Sequence, residues 1–235
     1  MKQHNVVTRD EWLDARKHLL TEEKKLVGLR DEISARRRAL PWVKIEEEYV
    51  FEGSHGKETL LELFGNKNQL IVYHFMFGPG WEQGCKSCSF LMDHIGGALP
   101  HLAARDVNFV AVSRAPLSEF QPFKDRMGWQ FKWVSSSGNR FNFDYHVSFT
   151  ENDVESGGKI YNYNTNAAMS DEMPGASVFI RNKAGDIFHT YSCYARGLDG
   201  LIGTYSYLDL VPKGRDEDDL DFTMAWVRHH DRYEE

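Results

Sequence analysis

Two thiols three residues apart, Cys85 and Cys88 in Gly84-Cys85-Lys86-Ser87-Cys88, carry the strongest chemical signal in this 235-residue chain. A thiolate is the nucleophile of disulfide exchange, and a second thiol one helical turn further on can displace it from a mixed disulfide. The spacing assigns Cys85 the attacking role and Cys88 the resolving role. Between them, Lys86 adds a cation that tunes the pair without making the chemistry. Two other readings fit the same spacing. Small core residues can fall three apart, and C-x-x-C is half of a zinc site, which His94 or His101 would have to complete because no second such pair exists. Haem attachment is excluded, since Ser89 stands where a histidine would follow the second cysteine.

Exchange requires Cys85 to sit where a strand runs through a loop into a helix. Unpaired N–H groups at the helix start then favour the anion and lower the thiol pKa from about 8.5 towards neutrality. The flanking sequence has that form. Residues 69 to 77 are a nearly continuous apolar run, as in a strand covered on both faces, and Gly78-Pro79-Gly80 follows as a loop. Phe90, Leu91, Ile95, Leu99 and Leu102 then mark a helix face, with a bend at Gly96-Gly97 or Pro100. A second buried strand over 107–112, a helix over 117–127 and a strand over 131–134 continue a βαβ order, which implies an α/β sheet with right-handed crossovers.

Upstream, Thr8-Arg9-Asp10-Glu11 reads as a capping box that opens a helix over residues 9–39. Trp12, Ala15, Leu19, Leu26, Leu29 and Ile33 recur along it, which leaves open packing along the main domain or a homodimer through this helix. Arg36-Arg37-Arg38 reads as a solvated end that suits the helix dipole. Residues 43–51 read as a strand or hairpin and 57–64 as a short helix ended by Gly65. Residues 135–171 are poorly periodic and read as an insertion. A hairpin follows, with strands at 177–180 and 187–191 around Asn182-Lys183-Ala184-Gly185-Asp186. After Gly200 a helix runs through Leu210, and the end of the chain reads as an acidic loop and a short helix or tail. The expected organisation is an N-terminal helical extension (1–41), a central domain (42–212) and a C-terminal acidic segment (213–235).

Composition narrows the function classes. Hydrophobic residues at 41% and charged residues at 27% are ordinary globular usage, and a formal net charge of -7 argues against nucleic acid as a partner. No apolar run approaches the roughly 20 residues of a membrane span, so no membrane role is expected. The polar start lacks the pattern of a signal peptide and the chain holds three cysteines, so a reducing cytoplasm is the expected location.

The stretches YHFMFGPGWEQGCKSCSF, HLAARDVNFVAVSRAPL, FKDRMGWQFKWVSS, EMPGASVF, HTYSCYARGLDGL and YLDLVPKGRDED resemble a bacterial family of dithiol-disulfide oxidoreductases, catalogued as a domain of unknown function. The resemblance covers nearly the whole chain. It implies a thioredoxin-like fold, with a mixed central sheet flanked by helices, a long N-terminal helical arm and an insertion before a cis-proline region. It also implies the dithiol at Cys85 and Cys88 and a cis-proline at Pro174, where a substrate chain would dock; an ordinary loop proline at a strand start is the other reading. Trp81 precedes the dithiol much as an aromatic does in thioredoxins. Lys86-Ser87 replaces the Gly-Pro of thioredoxin, so a different potential and partner are expected.

The activity this implies is thiol-disulfide exchange with a protein or small-molecule disulfide, with no cofactor and no metal. A peroxiredoxin-type peroxidase is the alternative within enzymes. In peroxiredoxins a proline lies seven residues and a Thr or Ser three residues before the reactive cysteine, whereas here Pro79 lies six before and Glu82, a repelling carboxylate, three before. A redox-inert or zinc-binding interaction module is the third reading. Arg114, Arg196, Cys193 and the tyrosines at 161, 163, 191, 194, 205 and 207 are read as structural.

Overall fold

The computed structural model describes residues 4–150, 152–153, 160–165 and 170–233. The chain divides into two compact units, residues 1–41 and 42–235. The first is a single helix, α1 (Arg9–Arg38), 30 residues long. Its capping box forms as the sequence predicts: the Glu11 amide donates to Thr8 Oγ1 at 3.3 Å and the Thr8 amide donates to Glu11 Oε2 at 2.9 Å. Arg36, Arg37 and Arg38 occupy its last turn, where cations complement the dipole. None of its residues is buried, and Trp12, Leu19, Leu26 and Leu29 are exposed.

The second unit is built on an eight-stranded sheet. Its strands are β1 (Val43–Lys44), β2 (Val50–Gly53), β3 (Gly56–Thr59), β4 (Gln69–His74), β5 (Val107–Ser113), β6 (Lys132–Ser135), β9 (Gly175–Arg181) and β10 (Ile187–Tyr194), and a separate pair, β7 (Ile160–Tyr161) and β8 (Asn164–Thr165), stands outside it. The sheet order is β1-β10-β9-β4-β5-β6-β2-β3. β4 pairs with β5 in parallel, and helices α2 (Lys86–Met92) and α3 (Leu99–Ala104) cross between them, as a parallel connection requires. β5 is parallel to β6, with α4 (Leu117–Arg126) between them. β9 runs antiparallel to β4, and β10 returns antiparallel to β9 before α6 (Gly203–Leu208). This βαβ unit joined to a ββα unit on a mixed sheet flanked by helices is the thioredoxin-like fold.

Both faces of the sheet are covered, which is why β4 and β5 read as continuous apolar runs. Leu70, Val72, Val110, Val112 and Val134 enter one core, with Phe51, Phe64 and Phe141. Tyr73, Phe109, Ala111 and Trp133 enter the other, with Phe90, Phe120 and Phe123 from the helices. The helix after the dithiol ends at Met92, earlier than the bend expected at Gly96-Gly97; a 3-10 turn, Gly96–Ala98, and then α3, with Pro100 in its first turn, follow. The predicted hairpin at Asn182 forms: Asn182 Oδ1 accepts from the amides of Ala184 and Asp186, both at 2.9 Å, and Gly185 supplies a φ of 91°.

Other expectations need correction. Residues 57–64 form a strand and a 3-10 turn (Glu62–Phe64) in place of a helix, because Gly56, at φ 112°, closes a tight hairpin with β2. The helix expected after Gly200 forms but is short, α6 over Gly203–Leu208, and the 3-10 segment Ala195–Leu201 precedes it. Part of the insertion over 135–171 lies outside the described residues; the described part includes α5 (Phe141–Asp144), β7 and β8. Among the described residues no helix is long and apolar enough to cross a membrane.

Candidate active site

Cys85 is the N-cap of α2, with φ -55° and ψ 130°. Its amide donates to the Met76 carbonyl at 3.2 Å, which ties the helix start to the end of β4. Its own carbonyl accepts from the amide and hydroxyl of Ser89, both at 2.9 Å. Gly84, just before it, is packed so closely that a Cβ there would lie 2.6 Å from the Phe75 ring and 2.8 Å from the Phe123 ring. The Gly84 carbonyl accepts from His229 Nε2 at 2.9 Å, so the end of the chain also holds the dithiol loop. Cys85 is half-buried; Cys88 is 1% exposed.

The two sulfurs are electrostatically distinct. The Cys85 thiol is pushed down to about 7, first by the hydrogen bond from Cys88, against the cost of burial, and further by the amides of Cys88 and Ser87 and the Ser87 hydroxyl. The Cys88 thiol is pushed up by burial, by its donation to Cys85 and by the Cys85 charge. Hydrogen bonds from the Tyr73 hydroxyl and the Met76 amide to the Cys88 sulfur partly offset that rise. Tyr73, 2% exposed, is held neutral by burial and by the two sulfurs. An accessible thiolate therefore stands beside a buried thiol that has donors ready for its own anion.

Both cysteines line a cavity of about 450 Å³. Tyr73, Met76 and Leu91 line one side, Met173 and Pro174 another, and Leu198, Ile202 and Tyr205 a third. The last wall comes from Arg215, Phe222, Thr223 and Met224. The Pro174 wall is fixed from behind: the Tyr161 hydroxyl donates to the Pro174 carbonyl at 2.7 Å and accepts from the Ala195 amide at 2.9 Å. Next to it, buried Glu172 is paired with Arg114 Nε and accepts from Ser148 Oγ at 2.7 Å. Burial raises the Glu172 pKa, and the Arg114 charge works against that rise.

Of the residues singled out from sequence, Cys85, Cys88 and Pro174 meet at this cavity. The Met173–Pro174 peptide is trans, since no described peptide bond is cis. The cis-proline expectation is thereby corrected: trans is the default by about 0.5–1 kcal/mol, and the Tyr161 hydrogen bond falls on the next peptide, at the Pro174 carbonyl. Lys86 is exposed in the first turn of α2, and the groups that lower the Cys85 pKa are Cys88 and Ser87. Trp81 does not line the cavity; its indole lies over Gly78, 2.9 Å from where a Cβ would be, and 6.5 Å from the Phe77 ring. Glu82 is exposed on the loop.

His94 is turned to α6, where Nε2 accepts from the Thr204 amide at 3.3 Å, and no group of three or more His, Cys, Asp or Glu among the described residues is arranged to hold a metal. Cys193 lies on β10 opposite Ala176 and does not line the cavity. Arg114 holds Glu172, and Arg196 reaches the cavity rim paired to Asp199 at 3.3 Å. Sequence reasoning missed Tyr73, whose place inside an apolar run hid its hydroxyl, although period-2 alternation puts it on the same face as Phe75. It also missed the C-terminal wall. Arg215 and Glu217 are half-buried in an acidic loop that is otherwise largely exposed, and the tail after it packs inward, with Val227 at 1% and His229 at 3% exposure.

The model of a family described as bacterial protein of unknown function, DUF899, matches residues 1–233. No curated protein matches the sequence. Similar solved structures include peroxidoxin BcpB from Mycobacterium tuberculosis, 9% identical with a TM-score of 0.49, covering 70% of this chain and 95% of that one. Peroxiredoxin Q from Xanthomonas campestris is 15% identical with a TM-score of 0.42, covering 67% and 90%. A protein assigned as thiol:disulfide interchange protein DsbE, from Chlorobium tepidum, is 13% identical with a TM-score of 0.42, covering 70% and 97%.

Proposed function

The chain belongs to the bacterial family DUF899, and from that premise and the site's geometry we propose that it is a thiol-disulfide oxidoreductase of the cytoplasm. The observation that carries the reading is the asymmetry of the pair, an accessible Cys85 with a pKa lowered to about 7 beside a buried Cys88 with a raised one. Cys85 thiolate attacks one sulfur of a substrate disulfide; the substrate S–S bond breaks, one substrate thiolate leaves and takes a proton, and a mixed disulfide forms. Once Cys85 is bonded to sulfur its negative charge is gone, and of the causes that hold the Cys88 proton burial stays while the repulsion and hydrogen bond from Cys85 are lost. Cys88 then ionises with donors from Tyr73 and Met76 in place and attacks Cys85 Sγ. The second substrate thiolate leaves, so the substrate disulfide is reduced by two electrons to two thiols and the protein holds a Cys85–Cys88 disulfide. The two thiols supply both electrons, and the compartment's thiol poise sets the direction.

The test is to mix reduced protein with a stoichiometric disulfide, quench with acid and map the bonds by mass spectrometry. A Cys85–Cys88 bond in the native chain and a persistent mixed disulfide at Cys85 in Cys88→Ser are the expected results. A chain that forms neither would overturn the reading. A sulfenic acid at Cys85 formed by peroxide faster than any disulfide reacts would transfer it to the peroxidase class.

A further inference from the structure

We infer that the C-terminal segment around Arg215–Met224 is the specificity wall of the dithiol cavity, and that the disulfide it admits is a small, uncharged, largely apolar molecule. This rests on the exchange reading above and names the substrate class for the same site. Four observations carry it. First, the cavity of about 450 Å³ has the size of a small-molecule site, for which about 300–1,000 Å³ is usual. A folded protein cannot place its disulfide into such a space without bringing main chain along.

Second, several main-chain groups beside the dithiol that could pair with a substrate backbone are already used. The Met173 amide donates to the Val147 carbonyl at 2.8 Å, Pro174 has no N–H, and the Pro174 carbonyl accepts from Tyr161. The Ala195 amide on the facing wall donates to the same Tyr161 hydroxyl. Third, the charges at the rim neutralise one another. Arg215 binds Asp209 at 2.8 Å and Asp199 at 3.2 Å with its guanidinium 3.8 Å from the Tyr205 ring centroid, and Arg196 also pairs with Asp199. At this wall a charged substrate therefore finds both arginines already paired, while an apolar one meets Met76, Leu91, Phe222 and Met224.

Fourth, the wall is latched. One oxygen of Glu217 accepts from the Tyr205 hydroxyl at 2.9 Å, the Met224 amide at 3.0 Å and the Trp226 indole N–H at 2.7 Å. Trp226 in turn packs edge-on against Phe90 of α2 at 5.4 Å, so the segment is fastened to the helix that carries Cys88. Glu217 acts through the wall and is a positioning residue. Three donors on one carboxylate oxygen hold the segment that brings Phe222 and Met224 to the cavity wall, and replacing the carboxylate frees the segment to swing aside.

The experiment uses the full-length reduced protein and three oxidants: dipropyl disulfide (apolar), oxidised glutathione (charged) and insulin (protein disulfides). Each rate of Cys85–Cys88 bond formation is divided by the rate of the same oxidant with dithiothreitol at the same pH. The normalised rate for dipropyl disulfide is expected to exceed both others by about tenfold or more. In Glu217→Ala that preference falls towards unity as the normalised insulin rate rises, and in Phe222→Ala the preference falls as the dipropyl disulfide rate drops. Circular dichroism melts confirm that both variants are folded; if Glu217→Ala is not, Phe222→Ala carries the test. Equal normalised rates, faster insulin or glutathione, or an unchanged preference in the folded variants would overturn the inference while leaving the exchange reading intact. Absence of the intramolecular bond with all three oxidants overturns both.

Discussion

His74 and Tyr73 are neighbours on β4, and they face opposite sides of the same sheet to opposite ends. His74 points into the side that holds Leu70 and Val72, where its Nε2 meets Ser177 Oγ at 2.8 Å and its ring stacks 5.7 Å from that of Tyr145. Burial drives its pKa down to about 3, so it stays neutral. Tyr73 points to the other side, and its hydroxyl serves the Cys88 sulfur. Both groups are buried and polar. What separates them is what surrounds them: strands and aromatic rings close over His74, whereas the roof over Tyr73 is made of loops, short helices and the end of the chain, which leave the cavity. Regular elements on the first side give stability; irregular ones on the second leave room for a reaction.

This contrast can be broken in four ways, from the largest effect down. Cys85→Ser is expected to abolish disulfide exchange, by about a thousandfold or more in rate, with little change in thermal stability. The reverse pattern belongs to Phe141→Ala, on the His74 side, where the buried ring contacts Tyr49 and Phe51 at about 5 Å. A loss of about 3–5 kcal/mol in denaturant titrations is expected, with the alkylation midpoint of Cys85 still near pH 7. A stability change under about 1 kcal/mol, or a displaced midpoint, would show that the two sides are not separable.

The third test is acid. A histidine whose folded pKa lies near 3 against an ordinary 6.5 takes its proton more readily in the unfolded chain. Stability contributed by His74 is therefore complete above pH 6.5 and falls as pH drops towards 3, by about 1.4 kcal/mol per pH unit. Urea midpoints measured from pH 7 to pH 4 should show that decline, and His74→Gln should be flatter over the same range. The smallest effect is Tyr73→Phe. Losing one donor to the Cys88 anion should slow resolution by about tenfold, seen as accumulation of the mixed disulfide, with exchange at Cys85 itself unaffected. Equal slowing of both steps would show that the hydroxyl acts on the cavity as a whole.

The same contrast explains what could be read from sequence. β4 and β5 announce themselves because a strand covered on both faces must be apolar throughout, and Cys85-Lys86-Ser87-Cys88 is legible because its chemistry fixes its spacing. The Thr8 and Glu11 box and the Asn182 turn are local, so a few residues suffice to reveal them. Glu217 is different. Its donors lie 12, 7 and 9 residues away, with no period to betray them, and its segment looks acidic and solvated because the one carboxylate that matters resembles its neighbours Asp216 and Asp218. Pro174 lies close to where strand order puts it, but the Tyr161 hydroxyl that anchors its carbonyl comes from the poorly periodic stretch before it.

Gly84 lengthens the working motif. With two buried phenyl rings closer than any real Cβ contact, nothing larger than hydrogen fits there while Cys85 keeps its bond to Met76. A designer who moves only Cys-Lys-Ser-Cys onto another scaffold transplants the sulfurs without the close approach that seats them. The portable unit is Gly-Cys-Lys-Ser-Cys above an aromatic floor.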